Sequence, residues 1–147
     1  MNLLSILSQY QFQEAGSIVS NPETDIPQFV LTPQWTDHKA SGATRGLVYL
    51  WVAVSATVLK TLYVGKAGGT LRKRCAEHTS GFRGGSVTGV RNCNSLNEIL
   101  HQGTIIRVYA RPSPVILIND ESVNSVSIDE ESFIIKFRKM NYNLWNM

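Results

Sequence analysis

The strongest constraint on the fold is an uninterrupted apolar run in the middle of the chain, Leu47-Val48-Tyr49-Leu50-Trp51-Val52-Ala53-Val54. Its β-branched and aromatic residues favour extended backbone, so the run predicts a well-buried strand. Thr61-Leu62-Tyr63-Val64 has the same character and follows Ser55-Ala56-Thr57, which suit a turn. The two segments therefore predict a hairpin of adjacent antiparallel strands.

Helix signals follow this hairpin. Thr70 suits the N-cap of a helix to about Thr79, on which Leu71, Cys75 and His78 share one face. Two capping-box patterns, Ser95-Leu96-Asn97-Glu98 and Ser127-Ile128-Asp129-Glu130, predict two more helices. We expect the first of these to stop at Gly103 and the second to run to about Met140. Between them, Thr104 to Ala110 alternates as a third strand that Pro112 and Pro114 end.

The N-terminal third is expected to pack on this core. Its first residues have apolar side chains at helical spacing, and three prolines then predict an irregular or edge-strand arm, in which Asp37 and His38 are within reach of a ligand. The expected division is 1–45 as helix and arm and 46–147 as the main unit, within a single structural domain. The fold class predicted is α+β, with a small three-stranded antiparallel sheet flanked by helices.

Charge is distributed unevenly along the 147 residues. From Arg45 to Arg91 there are eight basic residues and one acid, Glu77, whereas Asp120 to Glu131 holds five acids and no base. A basic stretch broken by glycines is typical of phosphate binding, and equally of a solvated surface. We expect the polar segments Arg83-Gly84-Gly85-Ser86 and Arg91-Asn92-Cys93-Asn94 to be flexible loops that contact phosphates or base edges.

Other features bear on location. No apolar run reaches the roughly 18–20 residues that span a bilayer, so no membrane partner is expected. The first residues lack the pattern of a signal peptide. Cys75 and Cys93 have no metal-ligand spacing around them, which favours reduced thiols. Together these observations predict a cytoplasmic protein.

Residues suited to phosphodiester chemistry lie on elements that can converge. Such a reaction needs an oriented, deprotonated water and positive charge on the phosphate oxygens, usually with a metal held by a carboxylate. Strand pairing can place Tyr49 beside Tyr63, with Gly65 leaving room for a phosphate. Arg74 and His78 lie one turn apart on one face of the next helix.

These residues resemble the motifs of the GIY-YIG nuclease domain. The resemblance rests on Tyr49, on Tyr63-Val64-Gly65-Lys66-Ala67, and on Leu71 with Arg74 and His78. It covers about Gly46 to Asn143, two thirds of the chain, because Glu131-Ser132-Phe133-Ile134-Ile135-Lys136 fits the segment of the family's metal-binding Glu. Asn143, 12 residues after Glu131, fits the Asn that follows it in the family.

The chain departs from the family pattern in places. Gly46-Leu47-Val48-Tyr49 is one residue longer than the expected Gly, apolar residue and Tyr, so Leu47 replaces the glycine or the strand begins with a bulge. Gly68-Gly69 adds about one residue before the helix, which leaves Arg72 as a competitor of Arg74. Glu130 likewise competes with Glu131. We favour Arg74, and we favour Glu131 because Glu130 has a structural role in the capping box.

The resemblance implies a role for each matched residue. Glu131 would coordinate Mg²⁺ or Mn²⁺, Arg74 would stabilise the charged transition state, and Tyr49 would accept a proton from the attacking water, helped by a cation such as Lys66. Tyr63 would position water or phosphate, and His78 would orient or transfer a proton. The residues expected to contact DNA are Lys66, Arg72, Lys73, Arg83, Arg91 and Asn143.

The sequence therefore favours a metal-dependent endonuclease that cleaves double-stranded DNA in restriction, a mobile element or conflict between microbes. Cleavage by a homodimer or higher oligomer suits so compact a chain. Two alternatives stay open. One is a non-catalytic nucleic-acid-binding module of the same fold, against which the combination of Tyr49, Tyr63, Arg74 and Glu131 argues. The other is a phosphoesterase that acts on RNA or a small nucleotide.

Overall fold

A computed structural model describes residues 2–36, 46–140 and 142–146. The predicted positions Asp37, His38 and Arg45 lie outside the described residues. The elements in chain order are α1 Leu3–Gln9, β1 Gln13–Val19, β2 Gln28–Leu31, α2 Pro33–Thr36, β3 Leu47–Val54, β4 Leu59–Ala67, α3 Leu71–Ser80, α4 Val87–His101, β5 Ile105–Pro112, β6 Val115–Ile118, β7 Glu121–Asn124 and α5 Val126–Lys139. A π-helical turn, Gly81–Gly85, joins α3 to α4.

The predicted α+β class and its antiparallel sheet are confirmed, but the main sheet has five strands rather than three. Its order is β2-β1-β5-β3-β4, and each neighbouring pair is antiparallel. The two additional strands come from the N-terminal third. The prolines allowed an edge strand there, and β2, flanked by Pro27 and Pro33, is one, whereas β1 was missed. A separate hairpin, β6–β7, was also missed, because Pro112 and Pro114 end β5 without preventing extended backbone beyond them.

Strand β3 lies inside the sheet and is buried on both faces, which explains its uninterrupted apolar sequence. Leu47, Tyr49 and Trp51 point to the layer that holds α3 and α4. Val48, Leu50 and Val52 point to the opposite layer, where they meet residues of α1 and α5. Because side chains alternate along a strand, two cores are filled from one segment. The residues predicted for catalysis on β3 and α3 therefore belong to the same layer.

Helix α3 is confirmed with its predicted cap, since the Thr70 side chain accepts a hydrogen bond from Lys73 N. The helix predicted to start at Ser95 instead starts at Val87, where the Ser86 hydroxyl accepts a hydrogen bond from Gly89 N. The predicted loop around Arg91 is thus helical, with Asn92 and Cys93 buried. Gly89 suits this helix because a Cβ there would lie 2.4 Å from the Gly81 carbonyl carbon.

Helix α5 starts slightly earlier than predicted. Its first residue is Val126 and its N-cap is Ser125, so the Ser127 capping box does not form. Instead, the Ser127 hydroxyl accepts a hydrogen bond from Lys66 Nζ, 3.1 Å away. Cys75 and Cys93 are both free thiols. Among the helices of the described ranges, none combines the length and apolarity needed to cross a membrane.

Candidate active site

Tyr49 sits directly over Gly65 on the neighbouring strand. The β3–β4 register pairs the two residues, and a Cβ at position 65 would lie 2.2 Å from Tyr49 Cζ. The glycine therefore makes room for the tyrosine ring, whereas the sequence suggested room for a phosphate. The register is regular from Leu47 to Trp51, so the strand has no bulge before Tyr49.

Tyr49 and His78 form the closest polar contact between the predicted residues. The Tyr49 hydroxyl lies 2.5 Å from His78 Nε2. Trp51 packs beside this pair, with its ring centroid 4.8 Å from that of His78 and 4.6 Å from that of Tyr63. Phe29 of β2 also packs here, with its ring centroid 6.1 Å from that of His78. The aromatic packing holds the imidazole against the phenol, and neither Trp51 nor Phe29 was singled out from the sequence.

Burial sets the protonation of this pair. Burial, together with the positive charge of Arg74, lowers the pKa of His78 from its ordinary 6.5 to about 3. Burial raises the pKa of Tyr49 well above its ordinary 10; Tyr63 adds to the rise and Arg74 opposes it. At neutral pH the imidazole is therefore uncharged and the phenol protonated. The phenol can donate its hydrogen to His78 Nε2.

Arg74 is the arginine of α3 that reaches Tyr49. Its positive charge opposes the rise in the pKa of Tyr49, and its Nη1 pairs with Glu77 Oε2 at 2.9 Å. Arg72 lies elsewhere, since it lines a separate cavity between α3 and the N-terminal strands. Arg72 and Arg74 thus lie on different sides of α3, and of these two arginines only Arg74 is close to Tyr49 and His78.

A cleft of about 380 Å³ opens where β4 runs into α3 and α5 begins. Arg74, Lys66 and Glu130 all line this cleft. Burial raises the pKa of Glu130, whereas the charges of Lys66 and Arg74 oppose that rise. A half-buried carboxylate therefore faces two cations across the cleft.

Glu131 does not reach this cleft. It is exposed and lines a shallow groove on the outer face of α5 with Ile128 and Ile135. The capping box that had given Glu130 a structural role is absent, because α5 starts at Val126. Helical spacing held the missed signal. Glu130 lies three, four and seven residues before the buried Phe133, Ile134 and Phe137, whereas Glu131 lies three before Ile134 but four before the exposed Ile135.

The first turn of α5 is fixed by the carboxylate next to Glu130. Asp129 Oδ2 accepts a hydrogen bond from Ser113 Oγ at 2.9 Å and lies 3.7 Å from Arg111 Nε. The Arg111 guanidinium in turn lies 5.3 Å from the centre of the Phe133 ring. These contacts tie the start of α5 to the end of β5, so that Glu130 is held at the cleft.

Asn143 lies away from the predicted site, beside Arg138 and Tyr142. Asn146, three residues further on, is the asparagine that contacts the sheet. Its Oδ1 accepts a hydrogen bond from Val64 N at 2.9 Å, and its Nδ2 donates one to Val64 O at 2.6 Å. One carboxamide thus pairs with the outer edge of β4 between Tyr63 and Gly65.

The remaining residues predicted to contact DNA are dispersed around α3. Lys73 lines the same cleft as Lys66. Arg83 shares with Arg72 the separate cavity of about 400 Å³. Arg91 donates a hydrogen bond to Trp145 O at 3.3 Å and so connects α4 to the C-terminal segment. Exposed cations therefore lie on both sides of α3, while Arg91 has a structural contact.

The described residues do not cluster three or more metal-binding side chains of the His, Cys, Asp and Glu types. Two carboxylates, Glu77 and Glu130, line this cleft, and Glu77 is already paired with Arg74, so a metal there would have Glu130 as its protein carboxylate. Such a donor set fits Mg²⁺, which commonly keeps several waters and binds through one or two carboxylates and substrate phosphates. The half-buried Glu130 opens onto a cleft of sufficient size for those waters.

No family model matches the sequence, and no curated protein matches it. Two solved structures are similar in fold. A mutant of bacteriophage T4 EndoII has a TM-score of 0.68 and 14% identity, over 94% of this chain and 96% of that chain. Restriction endonuclease HPY188I in complex with product DNA has a TM-score of 0.56 and 19% identity, over 97% and 82%. The chain therefore has a fold found in these two endonucleases.

Proposed function

We propose that this chain is a divalent-metal-dependent endonuclease of the GIY-YIG kind that hydrolyses DNA. The observation that carries the proposal is a cleft lined by an arginine and a carboxylate, with a buried tyrosine–histidine pair next to that arginine. Tyr49, His78, Arg74 and Glu130 supply these groups. The likeness in fold to two endonucleases, one of them solved with product DNA, supports it.

Tyr49 and His78 are arranged to move a proton away from the attacking water. As water bonds to phosphorus, its proton passes to the Tyr49 oxygen while the phenolic proton passes to His78 Nε2. The low pKa of His78 opposes this transfer in the free protein, partly because of the charge on Arg74. A bound phosphodiester anion would offset that charge and make the imidazole a stronger base.

The cations of the cleft complement the charge that develops on phosphate oxygens. Arg74 offers a planar fork of donors, and its pair with Glu77 holds the fork in place. Lys66, held by Ser127, adds a second positive charge. Tyr63 is half-buried between Trp51 and His78, where its hydroxyl can orient the water or the phosphate.

Glu130 is the residue we propose to hold Mg²⁺ or Mn²⁺, in place of the Glu131 expected from the sequence. When bound, the metal would stabilise negative charge on the leaving oxygen. Glu130 must be deprotonated to bind a cation, and Lys66 and Arg74 favour that form. The exposed Glu131 contributes a negative charge nearby.

Cleavage assays with matched variants test the proposal. We would incubate the protein with supercoiled plasmid, linear duplex and RNA, in Mg²⁺ or in EDTA. Glu130→Gln and Arg74→Ala should each lower the cleavage rate by roughly 100-fold or more, as removal of one transition-state contact does. Glu131→Gln, the control one residue away, should keep a cleavage rate within roughly threefold of the wild type, because the Glu131 side chain lies outside the cleft.

Each result decides a separate point. Wild-type protein that cleaves no substrate would refute the nuclease function and favour a binding module. Cleavage of RNA alone would show that the substrate is RNA and not DNA. Full activity of Glu130→Gln together with loss of activity in Glu131→Gln would identify Glu131 as the metal ligand, as expected from the sequence. A cytoplasmic location and a role in restriction, a mobile element or microbial conflict stay predictions.

A further inference from the structure

The β6–β7 hairpin projects from the fold with both of its faces apolar and exposed. Its strands carry Val-Ile-Leu-Ile and Glu-Ser-Val-Asn, and all eight residues are exposed. Leu117 is 74% exposed and Ile118 is 50% exposed. The register places Ile116 opposite Val123 on one face, while Leu117 points to the other. A lone two-stranded hairpin is at best marginally stable in water, so these faces call for a partner.

The base of the hairpin is firmly fixed. Ser125 Oγ donates a hydrogen bond to Pro114 O at 2.7 Å, and Ser113 N donates one to Gly46 O at 2.9 Å. Asn124 packs under Gly46, where a Cβ would lie 2.5 Å from its Oδ1. Ser113 also contacts Asp129, the residue that fixes the start of α5. The hairpin therefore holds a set position relative to the cleft.

The charges around the hairpin favour a protein partner over DNA. Asp120 and Glu121 lie at its turn, and no Lys, Arg or His occurs between Arg111 and Lys136. A DNA backbone would be repelled by these acids and would find no cation to neutralise its phosphates. The hairpin offers apolar side chains and free strand edges, both of which protein partners bind.

We propose that this hairpin docks against the same hairpin of a second copy of the chain across a two-fold axis. The apolar side chains of the hairpin expose on the order of 400 Å², and Ile128 and Ile135 on the outer face of α5 raise this to on the order of 600 Å². This apolar surface, spread over both faces of the hairpin and over α5, is about three quarters of the roughly 800 Å² that each partner buries in a stable dimer.

A two-fold axis suits the hairpin geometrically, because it brings the same apolar side chains of the two copies, Leu117 among them, into contact with each other. It also suits a double-stranded DNA substrate, which rests on the proposed function. Each chain forms one cleft with Glu130, whereas the strands of a duplex run in opposite directions. Two copies related by a two-fold axis would present one cleft to each strand.

Light scattering coupled to size-exclusion chromatography, at several protein concentrations without DNA, tests the proposal. The wild type should have the mass of two chains. Leu117→Lys should raise the dissociation constant by roughly 100-fold, because one substitution acts twice in a symmetric interface. Leu4→Lys, at a leucine of α1 that is 63% exposed, is the control and should stay dimeric. A monomeric wild type, or a Leu117→Lys variant that dimerises like the wild type, would overturn the proposal.

Plasmid cleavage separates this proposal from the proposed function. Leu117→Lys should still nick supercoiled DNA but should form linear product more slowly than Leu4→Lys. Glu130→Gln should dimerise like the wild type. A dimer that never cleaves would refute the nuclease function and leave the interface intact. Unchanged formation of linear product by a monomeric variant would refute the link between the hairpin and double-strand cleavage.

Discussion

Gly65→Ala is the substitution for which the structure gives the sharpest expectation. The side chain of Tyr49 occupies the space above Gly65 that a Cβ would need. An alanine methyl group would lie 2.2 Å from Cζ, 2.3 Å from the hydroxyl oxygen and 2.6 Å from Cε2 of Tyr49. Carbon atoms pack at about 3.5–4.0 Å, so the ring must move by more than about 1 Å.

Tyr49 has no free space into which to move. It is 1% exposed, its hydroxyl contacts His78, and Tyr63 and His78 flank its ring. Overpacking of this kind typically costs about 1–3 kcal/mol of unfolding free energy. The displaced hydroxyl would also lose its contact with His78. We therefore expect Gly65→Ala to lower plasmid cleavage by roughly 100-fold, as misplacement of reacting groups by about 1 Å does.

Gly68→Ala is the matched control. Gly68 lies three residues later, in the connection between β4 and α3, and nothing lies within 4 Å of a Cβ built there. Urea unfolding and initial cleavage rates should be measured for both variants at pH 7. Gly68→Ala should be within about 0.5 kcal/mol of the wild type in stability, as surface substitutions usually are. If Gly65→Ala had the stability and the cleavage rate of Gly68→Ala, the close packing of Tyr49 on Gly65 would be refuted.

Two further predictions concern His78 and Asn146. The pKa of His78 is about 3 in the folded chain and returns to its ordinary 6.5 on unfolding. Between these pH values the unfolded chain therefore binds a proton that the folded chain does not bind. Through this residue, the unfolding free energy should fall by about 3 kcal/mol from pH 7 to pH 4. Urea unfolding across this range should show a smaller fall for His78→Gln, and an equal fall would contradict the assignment. Asn146→Ala removes both hydrogen bonds to the Val64 backbone and should cost about 1–3 kcal/mol, whereas Asn143→Ala, the control, should be nearly neutral in the same unfolding experiment.

The sequence determined the parts of the molecule whose signals are local. The apolar run of β3 predicted a buried strand because its side chains fill cores on both faces of the sheet. The Thr70 cap and the spacing of Leu71, Cys75 and His78 predicted α3, whose cap forms as expected. Tyr49, Arg74 and His78 were placed together because a hairpin and the helix after it lie close in sequence.

Only the tertiary structure decided the features that depend on distant segments. Strand β1 joined the sheet through pairing with β5, far along the chain, and β2 joined it through β1, so neither segment carries a local sign of the sheet it belongs to. The choice of Glu130 over Glu131 depends on which face of α5 meets the cleft, and a shift of one residue turns a helical side chain by about 100°. That orientation is set by Asp129, Ser113 and Arg111, through contacts formed only when α5 packs on the end of β5.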